Sequence, residues 1–192
     1  MASQSLSLKG YQARIEKRLD RWRREKFASR LWEKDPTLWF PNPEPEITDR
    51  LGWLNLPETM HHQIDGLKHF AEMAREEGML HGVLLGMGGS SLAPELFQYT
   101  FGSRPGYPEL IVLDSTYPAA VRSVEARVDL RRTLFLVSSK SGTTTETLSL
   151  FRYFWHKAGL ATDQPGHHFV AITDPGTALQ KLARDRGLSL CL

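Results

Sequence analysis

The stretch GVLLGMGGSSLAPELFQYTFG (82–102) contains an apolar run, a glycine-rich turn and a helix-like segment in direct succession. The same succession continues along the chain: further strand-like runs lie at 109–115, 133–139, 168–173 and 188–192, and helix-like segments at 92–101, 118–128, 144–157 and 177–186. The first four runs are mostly apolar, as expected for strands that are buried on both faces of a parallel sheet. This alternation predicts an α/β fold with a doubly wound, five-stranded parallel sheet. Glycines 102, 159 and 187 are predicted to close three of the helices.

The residues before this pattern predict a separate N-terminal extension. Apolar residues at near-helical spacing over residues 8–33 predict one long amphipathic helix, which Asp35-Pro36 ends. A Pro- and Trp-rich segment follows, which we interpret as an arm that covers a neighbouring domain or subunit. A second helix is predicted over 58–77, closed by Gly78. We therefore expect a helical and aromatic extension over 1–57 and an α/β domain over 58–192, whose last strand reaches the chain end, as in a truncated domain.

Composition and charge exclude several classes of protein. The chain has 192 residues, 41% of them hydrophobic and 24% charged, and one cysteine, which argues against a disulfide scaffold. The sequence shows no apolar run long enough to predict a membrane span and no stretch that predicts a secretory signal. We therefore expect a cytoplasmic protein. Residues 1–35 hold ten Lys/Arg and five Asp/Glu, a net +5, but the two signs alternate as on a solvated helix face. We therefore predict neither a nucleic-acid nor a membrane partner.

Two loops at strand ends are candidate binding elements. The glycine loop (residues 86–91, GMGGSS) follows the first strand; its three glycines allow a sharp turn, and Ser90 and Ser91 lie at the start of a helix, where anions bind. A tight structural turn is the alternative. The loop fits neither G-x-G-x-x-G, because Ser91 stands at the third glycine position, nor a P-loop.

The hydroxyl loop (residues 138–147, SSKSGTTTET) follows the third strand, and seven of its ten residues carry a hydroxyl group. Helix capping needs one or two such groups, whereas a phosphate monoester has three strong acceptor oxygens that several donors match. Lys140 adds positive charge. The loop therefore predicts a phosphate site with the affinity of a metabolite site.

Other chemistries find little support in the sequence. The adjacent histidine pairs at 61–62 and 167–168 are poorly placed to share a metal ion, and H-E-x-x-H and G-x-S-x-G are absent. We therefore predict no metal, no cofactor and no serine nucleophile.

The two loops together resemble the sugar isomerase domain family, and within it the glucose-6-phosphate isomerases. Two segments, RLWEKDPTLW (30–39) and RLGWL (50–54), resemble the extension of the isomerase part in bacterial fusions with transaldolase, and ITDPGTALQKLA (172–183) resembles the strand and helix after the phosphate loop. The resemblance covers about residues 15–192. It implies a flavodoxin-like sheet and an aldose–ketose isomerisation between glucose 6-phosphate and fructose 6-phosphate, as in glycolysis and gluconeogenesis.

The resemblance also implies roles for individual residues. It assigns the substrate to both loops and a supporting role to an acidic residue that follows the threonines. The substrate-binding residues would be Gly88, Gly89, Ser90, Ser139, Lys140, Ser141, Thr143 and Thr144, and the supporting residue Glu146. The family's arginine, glutamate base, histidine and lysine belong to a second domain, so no catalytic residue is expected here. The chain would be the N-terminal half, inactive alone and a homodimer when complete. A non-catalytic phosphosugar-binding module, regulatory or part of an aminotransferring enzyme, is the alternative.

Overall fold

The computed structural model describes residues 7–48 and 50–191. The chain divides into two compact units, residues 1–65 and 66–192. The predicted boundary between an extension over 1–57 and an α/β domain over 58–192 stays a prediction. The two units show only which residues pack together, and they do not test where a domain begins. In the described ranges no helix is long and apolar enough to cross a membrane.

The N-terminal unit begins with two helices where the sequence predicts one. Helix α1 spans Gln12–Arg24 and α2 spans Phe27–Trp32, because Lys26 between them has a left-handed backbone with φ 50°. The break brings the ring of Phe27 back onto Trp22, at 4.8 Å between stacked centroids, and Trp39 packs edge-on against Phe27. The prediction of one helix over 8–33 is therefore wrong. The short helices α3 (Pro45–Thr48) and α4 (Leu56–Thr59) follow.

The second unit contains the sheet and the helices that cover it. Helix α5 (Ile64–Glu76) leads into it and ends before Gly78, which has φ 71° as predicted. The strands are β1 (His81–Gly86), β2 (Glu109–Leu113), β3 (Thr133–Ser138), β4 (Phe169–Ile172) and β5 (Leu190–Cys191). The helices are α5 (Ile64–Glu76), α6 (Gly89–Phe101), α7 (Pro118–Arg127), α8 (Thr145–Ala161) and α9 (Ala178–Arg186). Short 3-10 turns occupy Lys9–Tyr11, Pro36–Leu38, Gly52–Asn55, Met60–Gln63, Leu130–Arg132 and Pro165–His168.

All the strand pairs are parallel, and the strand order is β2-β1-β3-β4-β5. This is the flavodoxin-like order, so the predicted α/β class with a parallel sheet is confirmed. The fifth strand is much shorter than predicted: it pairs with β4 over two residues, and Leu192 lies outside the described residues.

The core lies between the sheet and helices α7, α8 and α9. Phe135 of β3 stacks between Phe154 of α8 and Phe169 of β4, with centroid distances of 4.7 and 5.0 Å. Alternate strand residues that point to the other face, such as Leu84 and Val170, are also buried. Burial on both faces explains why these strands have nearly continuous apolar sequences.

One predicted helix end is wrong. Gly159 lies inside α8, which continues to Ala161. The side chain of Arg131 donates a hydrogen bond to the Ala161 carbonyl at 3.0 Å, and this contact from a distant part of the chain caps the longer helix. Gly102 and Gly187, by contrast, follow α6 and α9 with positive φ, as predicted.

Candidate phosphate-binding site

The glycine loop and the hydroxyl loop leave the sheet side by side. Gly86, the last residue of β1, is the register partner of Ser138, the last residue of β3. Both loops therefore start from the carboxyl edge of adjacent strands. The chain runs from β1 to one side of the sheet and from β3 to the other, and ligands of open parallel sheets bind at such a switch point.

The glycine loop turns tightly into α6. Gly88 has φ 55°, a conformation that favours glycine, and its carbonyl accepts hydrogen bonds from the Ser91 and Leu92 amides and from the Ser91 hydroxyl, each at 3.0 Å. Ser91 is therefore a buried structural residue, whereas Gly88 and Gly89 are exposed and Ser90 is half-buried. The predicted contact residues of this loop, 88–90, lie together on its accessible side.

An internal hydrogen bond closes the base of the hydroxyl loop. The hydroxyl oxygens of Ser139 and Thr144 lie 2.9 Å apart, so one donates to the other. Ser139 is buried, and its amide donates to the Ile172 carbonyl at 3.0 Å, which fixes the loop to β4. Thr144 directly precedes α8, a helix of 17 residues. The loop is thus closed at its base and opens at the N-terminus of a long helix.

The tip of the hydroxyl loop is exposed. Ser141 and Thr143 lie there with their hydroxyl oxygens 3.0 Å apart. Between them Gly142 has φ 68° and is buried against the start of α9. Glu146 is exposed in the first turn of α8. The structure therefore brings the five predicted phosphate residues, 139–141, 143 and 144, into one loop, with two hydroxyl pairs at its base and tip.

A third loop, over residues 173–177, supports the hydroxyl loop, and the sequence analysis did not predict this contact. The carbonyl of Lys140 accepts hydrogen bonds from the Asp174 amide at 3.3 Å and from the Thr173 hydroxyl at 3.4 Å, and Thr173 in turn pairs with Thr177. The Lys140 ammonium lies 4.0 Å from a carboxylate oxygen of Asp174. The resemblance of 172–183 to the family indicated this segment, but no motif indicated its contact with the hydroxyl loop.

Thr147 is a residue of the hydroxyl loop to which the sequence assigns no individual role. It lies in the first turns of α8, is fully buried, and its hydroxyl has no hydrogen-bond partner within the described residues. A buried hydroxyl of this kind costs free energy unless water or a neighbour satisfies it. The excess of hydroxyl residues in SSKSGTTTET was the signal, although Thr147 itself faces the interior.

The arrangement suits an oxyanion. The helix N-termini of α6 and α8 begin at the two loops, and the first amides of a helix have no partner within it. Within the described residues no group of His, Cys, Asp and Glu could hold a metal ion. The buried His168 instead makes a hydrogen bond through Nδ1 to the Thr133 carbonyl at 3.0 Å.

Comparison with known proteins decides the family. The family model described as phosphoglucose isomerase matches residues 63–188, which include both loops. The chain belongs to the phosphoglucose isomerase family. This confirms the resemblance inferred from the motifs, whereas the likeness to transaldolase fusions stays a prediction.

Individual phosphoglucose isomerase relatives agree. A glucose-6-phosphate isomerase of Campylobacter jejuni is 30% identical over 139 residues, 72% of this chain and 34% of the relative. One of Thermosynechococcus vestitus is 32% identical over 173 residues, 84% of this chain and 30% of the relative. The crystal structure of a hypothetical protein from Thermus thermophilus superposes with a TM-score of 0.70 and 26% identity, over 96% of this chain and 41% of that one. The chain thus spans about a third of the length of these curated relatives.

Proposed function

We propose that this chain carries the phosphate-binding part of an isomerase that interconverts glucose 6-phosphate and fructose 6-phosphate. The hydroxyl loop is the observation that supports it. Its two hydroxyl pairs lie at the N-terminus of α8, beside the glycine loop, in a member of the phosphoglucose isomerase family. The family match favours this function over a non-catalytic phosphosugar module.

The hydroxyl pairs define how many donors the loop offers. In each pair one hydroxyl donates to the other, so each pair keeps one O–H for a ligand. The pair of Ser139 and Thr144 would supply one donor, and the pair of Ser141 and Thr143 would supply a second. The backbone amide of Lys140 and the first amides of α8 would supply the other donors. Hydrogen bonds to a charged group contribute about 1.5–3 kcal/mol each. Three or four of them, less the cost of association, correspond to roughly millimolar to micromolar affinity.

The sugar would extend from the phosphate toward the glycine loop. Gly88 and Gly89 let the backbone approach the ligand closely, and Ser90 offers a hydroxyl to the sugar. Glu146, at the start of α8, would support this end of the site. Binding energy from the remote phosphate then helps to position the reacting carbons C1 and C2.

The proton transfer itself would fall to groups outside these 192 residues. Isomerisation through an enediol needs a base that moves a proton between C2 and C1 and cationic groups that stabilise the developing charge. We expect the chain to bind fructose 6-phosphate without turnover. We also expect the complete protein to be cytoplasmic and a homodimer, and to need no metal or cofactor.

Calorimetric titration of the chain with fructose 6-phosphate tests this proposal. We expect binding in the range given above, at least tenfold weaker binding by the double variant Ser141→Ala with Thr144→Ala, and little binding of fructose without its phosphate. The single variant Ser141→Ala separates lost contact from lost loop structure, because Ser141 is exposed and lies away from the buried Ser139. Ser123→Ala, on the exposed side of α7, is the matched control.

Two results would contradict the proposal. Unchanged affinity in the double variant, with the circular dichroism spectrum preserved, would exclude the hydroxyl loop as the phosphate site. Isomerase turnover by the 192-residue chain alone, in an assay that couples glucose 6-phosphate formation to a dehydrogenase, would show that the proton-transferring groups lie within it.

A further inference from the structure

Two threonine hydroxyls link the start of α9 to the hydroxyl loop by a chain of hydrogen bonds. The Gln180 amide donates to the Thr177 hydroxyl at 3.2 Å, and this contact caps the N-terminus of α9. The hydroxyl oxygens of Thr177 and Thr173 lie 2.8 Å apart. Thr173 then donates to the Lys140 carbonyl at 3.4 Å. We call Thr177 and Thr173 the threonine relay; it ends on a backbone oxygen of the hydroxyl loop.

The direction of the threonine relay follows from its protons. A hydroxyl group has one proton to donate and two lone pairs that accept. Because the proton of Thr173 goes to the Lys140 carbonyl, the bond between the two threonines is donated by Thr177. Thr177 accepts from the Gln180 amide, so every bond of the relay points toward the hydroxyl loop. Hydrogen bonds aligned in this way polarise and strengthen one another.

The threonine relay fixes the orientation of one peptide group in the hydroxyl loop. Besides the Thr173 hydroxyl, the Asp174 amide donates to the Lys140 carbonyl, at 3.3 Å. The carbonyl and the amide of a trans peptide group point in opposite directions, and no described peptide bond is cis. With the Lys140 carbonyl turned toward the third loop, the Ser141 amide of the same peptide group therefore points away from that loop.

The Ser141 amide is left over when the bonds of the hydroxyl loop are assigned. The Ser139 amide donates to the Ile172 carbonyl at 3.0 Å, and the Ser139 carbonyl accepts from the Gly142 amide at 3.1 Å. The Thr143 amide donates to the Ser141 hydroxyl at 3.3 Å. Among the described residues, the Ser141 amide has no hydrogen-bond acceptor. A loop held by its own bonds thus keeps one oriented N–H group for a ligand.

We propose that Thr173 is a positioning residue for the phosphate site. Its hydroxyl donates to the loop rather than to the ligand: aligned by Thr177, it holds the Lys140 carbonyl and so directs the Ser141 amide toward an oxyanion at the hydroxyl loop. A donor that is oriented in advance needs no reorganisation when the oxyanion arrives. The inference rests on the proposed function, because it requires that a phosphate group binds at this loop.

Thr173→Val tests this role, because valine has nearly the shape of threonine without the hydroxyl. In NMR titrations with inorganic phosphate and with fructose 6-phosphate, the variant should bind both at least about fivefold more weakly, since a hydrogen bond to a charged group is weakened. The residual dipolar coupling of the Ser141 N–H, measured without ligand, should also change, because it reports the direction of that bond. Thr173→Ser keeps the hydroxyl and should restore both the affinity and the coupling.

Thr100→Val is the matched control, because it removes a threonine hydroxyl that donates to the Leu96 carbonyl, in α6. It should bind both ligands like the native chain. Thermal unfolding checks that each variant folds, and Thr173→Ala gives the same readouts if the valine variant does not.

The outcomes separate this inference from the proposed function. A folded variant without the Thr173 hydroxyl that keeps native affinity, or an unchanged coupling of the Ser141 N–H, would overturn the inference while the proposed function stands. Equal losses in Thr173→Ser and Thr173→Val, or in Thr100→Val, would overturn the inference as well. A native chain that binds neither inorganic phosphate nor fructose 6-phosphate would overturn the proposed function and this inference together.

Discussion

Gly86 lies opposite Ser138 in the sheet, and the space around Gly86 between the strand ends is tight. A Cβ atom on Gly86 would lie 3.3 Å from the Ser138 carbonyl oxygen and 3.1 Å from the Cβ of Ser90. These distances are shorter than ordinary contacts, so a side chain at residue 86 would require the end of β3 or the first turn of α6 to shift by a few tenths of an ångström. The two binding loops are thus joined at one point.

Replacing Gly86 by alanine should loosen this junction. We expect Gly86→Ala to lower the free energy of unfolding by about 1–3 kcal/mol, as overpacking does, and to weaken fructose 6-phosphate binding. Urea denaturation and calorimetry measure the two effects. Gly82→Ala is the control, since Gly82 lies in the same strand and its Cβ would have no neighbour within 4 Å. Equal losses in both variants would contradict the argument.

Alanine at position 142 should destabilise the protein more than alanine at position 176, where a glycine has a similar positive φ. A Cβ added to Gly142 would lie 2.8 Å from the Leu179 amide nitrogen, and the φ of Gly142 is 68°. Left-handed backbone costs about 1–2 kcal/mol for a residue with a side chain, and overpacking adds about 1–3 kcal/mol. Gly142→Ala should therefore unfold more easily and lose fructose 6-phosphate binding.

Gly176→Ala is the control for this prediction. Gly176 has φ 81° but no atom within 4 Å of an added Cβ, so it incurs the backbone cost alone. Denaturant midpoints of the two variants give the cost of the contact with α9 by difference. If the two midpoints agree, the contact between Gly142 and α9 does not constrain the loop.

The alternating sequence pattern was enough to predict the sheet, because every buried strand leaves a run of apolar residues. It could not reveal the break at Lys26, which depends on how the rings of Trp22 and Phe27 stack. The five-residue spacing of these two rings does not fit one face of a continuous helix, and this was the available signal. The contact between Asp174 and the Lys140 carbonyl is equally invisible in a sequence, since it joins a backbone oxygen to a distant loop.

Removing Phe154 should test the core. Its ring is fully buried and stacks on Phe135. We expect Phe154→Ala to reduce the free energy of unfolding by about 3–5 kcal/mol, because of the lost transfer free energy and the cavity left behind. Leu160→Ala, at an exposed position of the same helix, should change it by less than about 0.5 kcal/mol. Similar losses for both variants, measured by urea denaturation, would be inconsistent with the described core.

The stability of the N-terminal unit should depend on the ionisation of Asp35 at acid pH. Hydrogen bonds from Thr37 and Arg30 lower the pKa of this carboxyl from 3.8 to about 2. Because the folded-state pKa lies below the unfolded value, ionised Asp35 stabilises the unit above about pH 4. This contribution is lost as the pH falls through about 2.

Carbon-detected NMR titration of the Asp35 carboxyl measures this pKa directly. Thr37→Ala should raise it toward 3.8, because the Thr37 hydroxyl is its largest cause. Thr59→Ala, which removes another hydroxyl of the same unit, should leave it in place, because that hydroxyl donates to the Asn55 carbonyl. A midpoint near 3.8 in the native chain would show that these hydrogen bonds do not persist in solution.

The direct pairing of β1 with β3 has a consequence for how such a protein can vary. The two loops are separated by the whole of α6, β2 and α7 in the sequence, yet they are held side by side by the register of two adjacent strands. The exposed turn between α6 and β2, over residues 103–106, can therefore change length without shifting one loop against the other. Evolution, or a designer who inserts a peptide there, can remodel that edge of the sheet while the binding geometry is inherited unchanged.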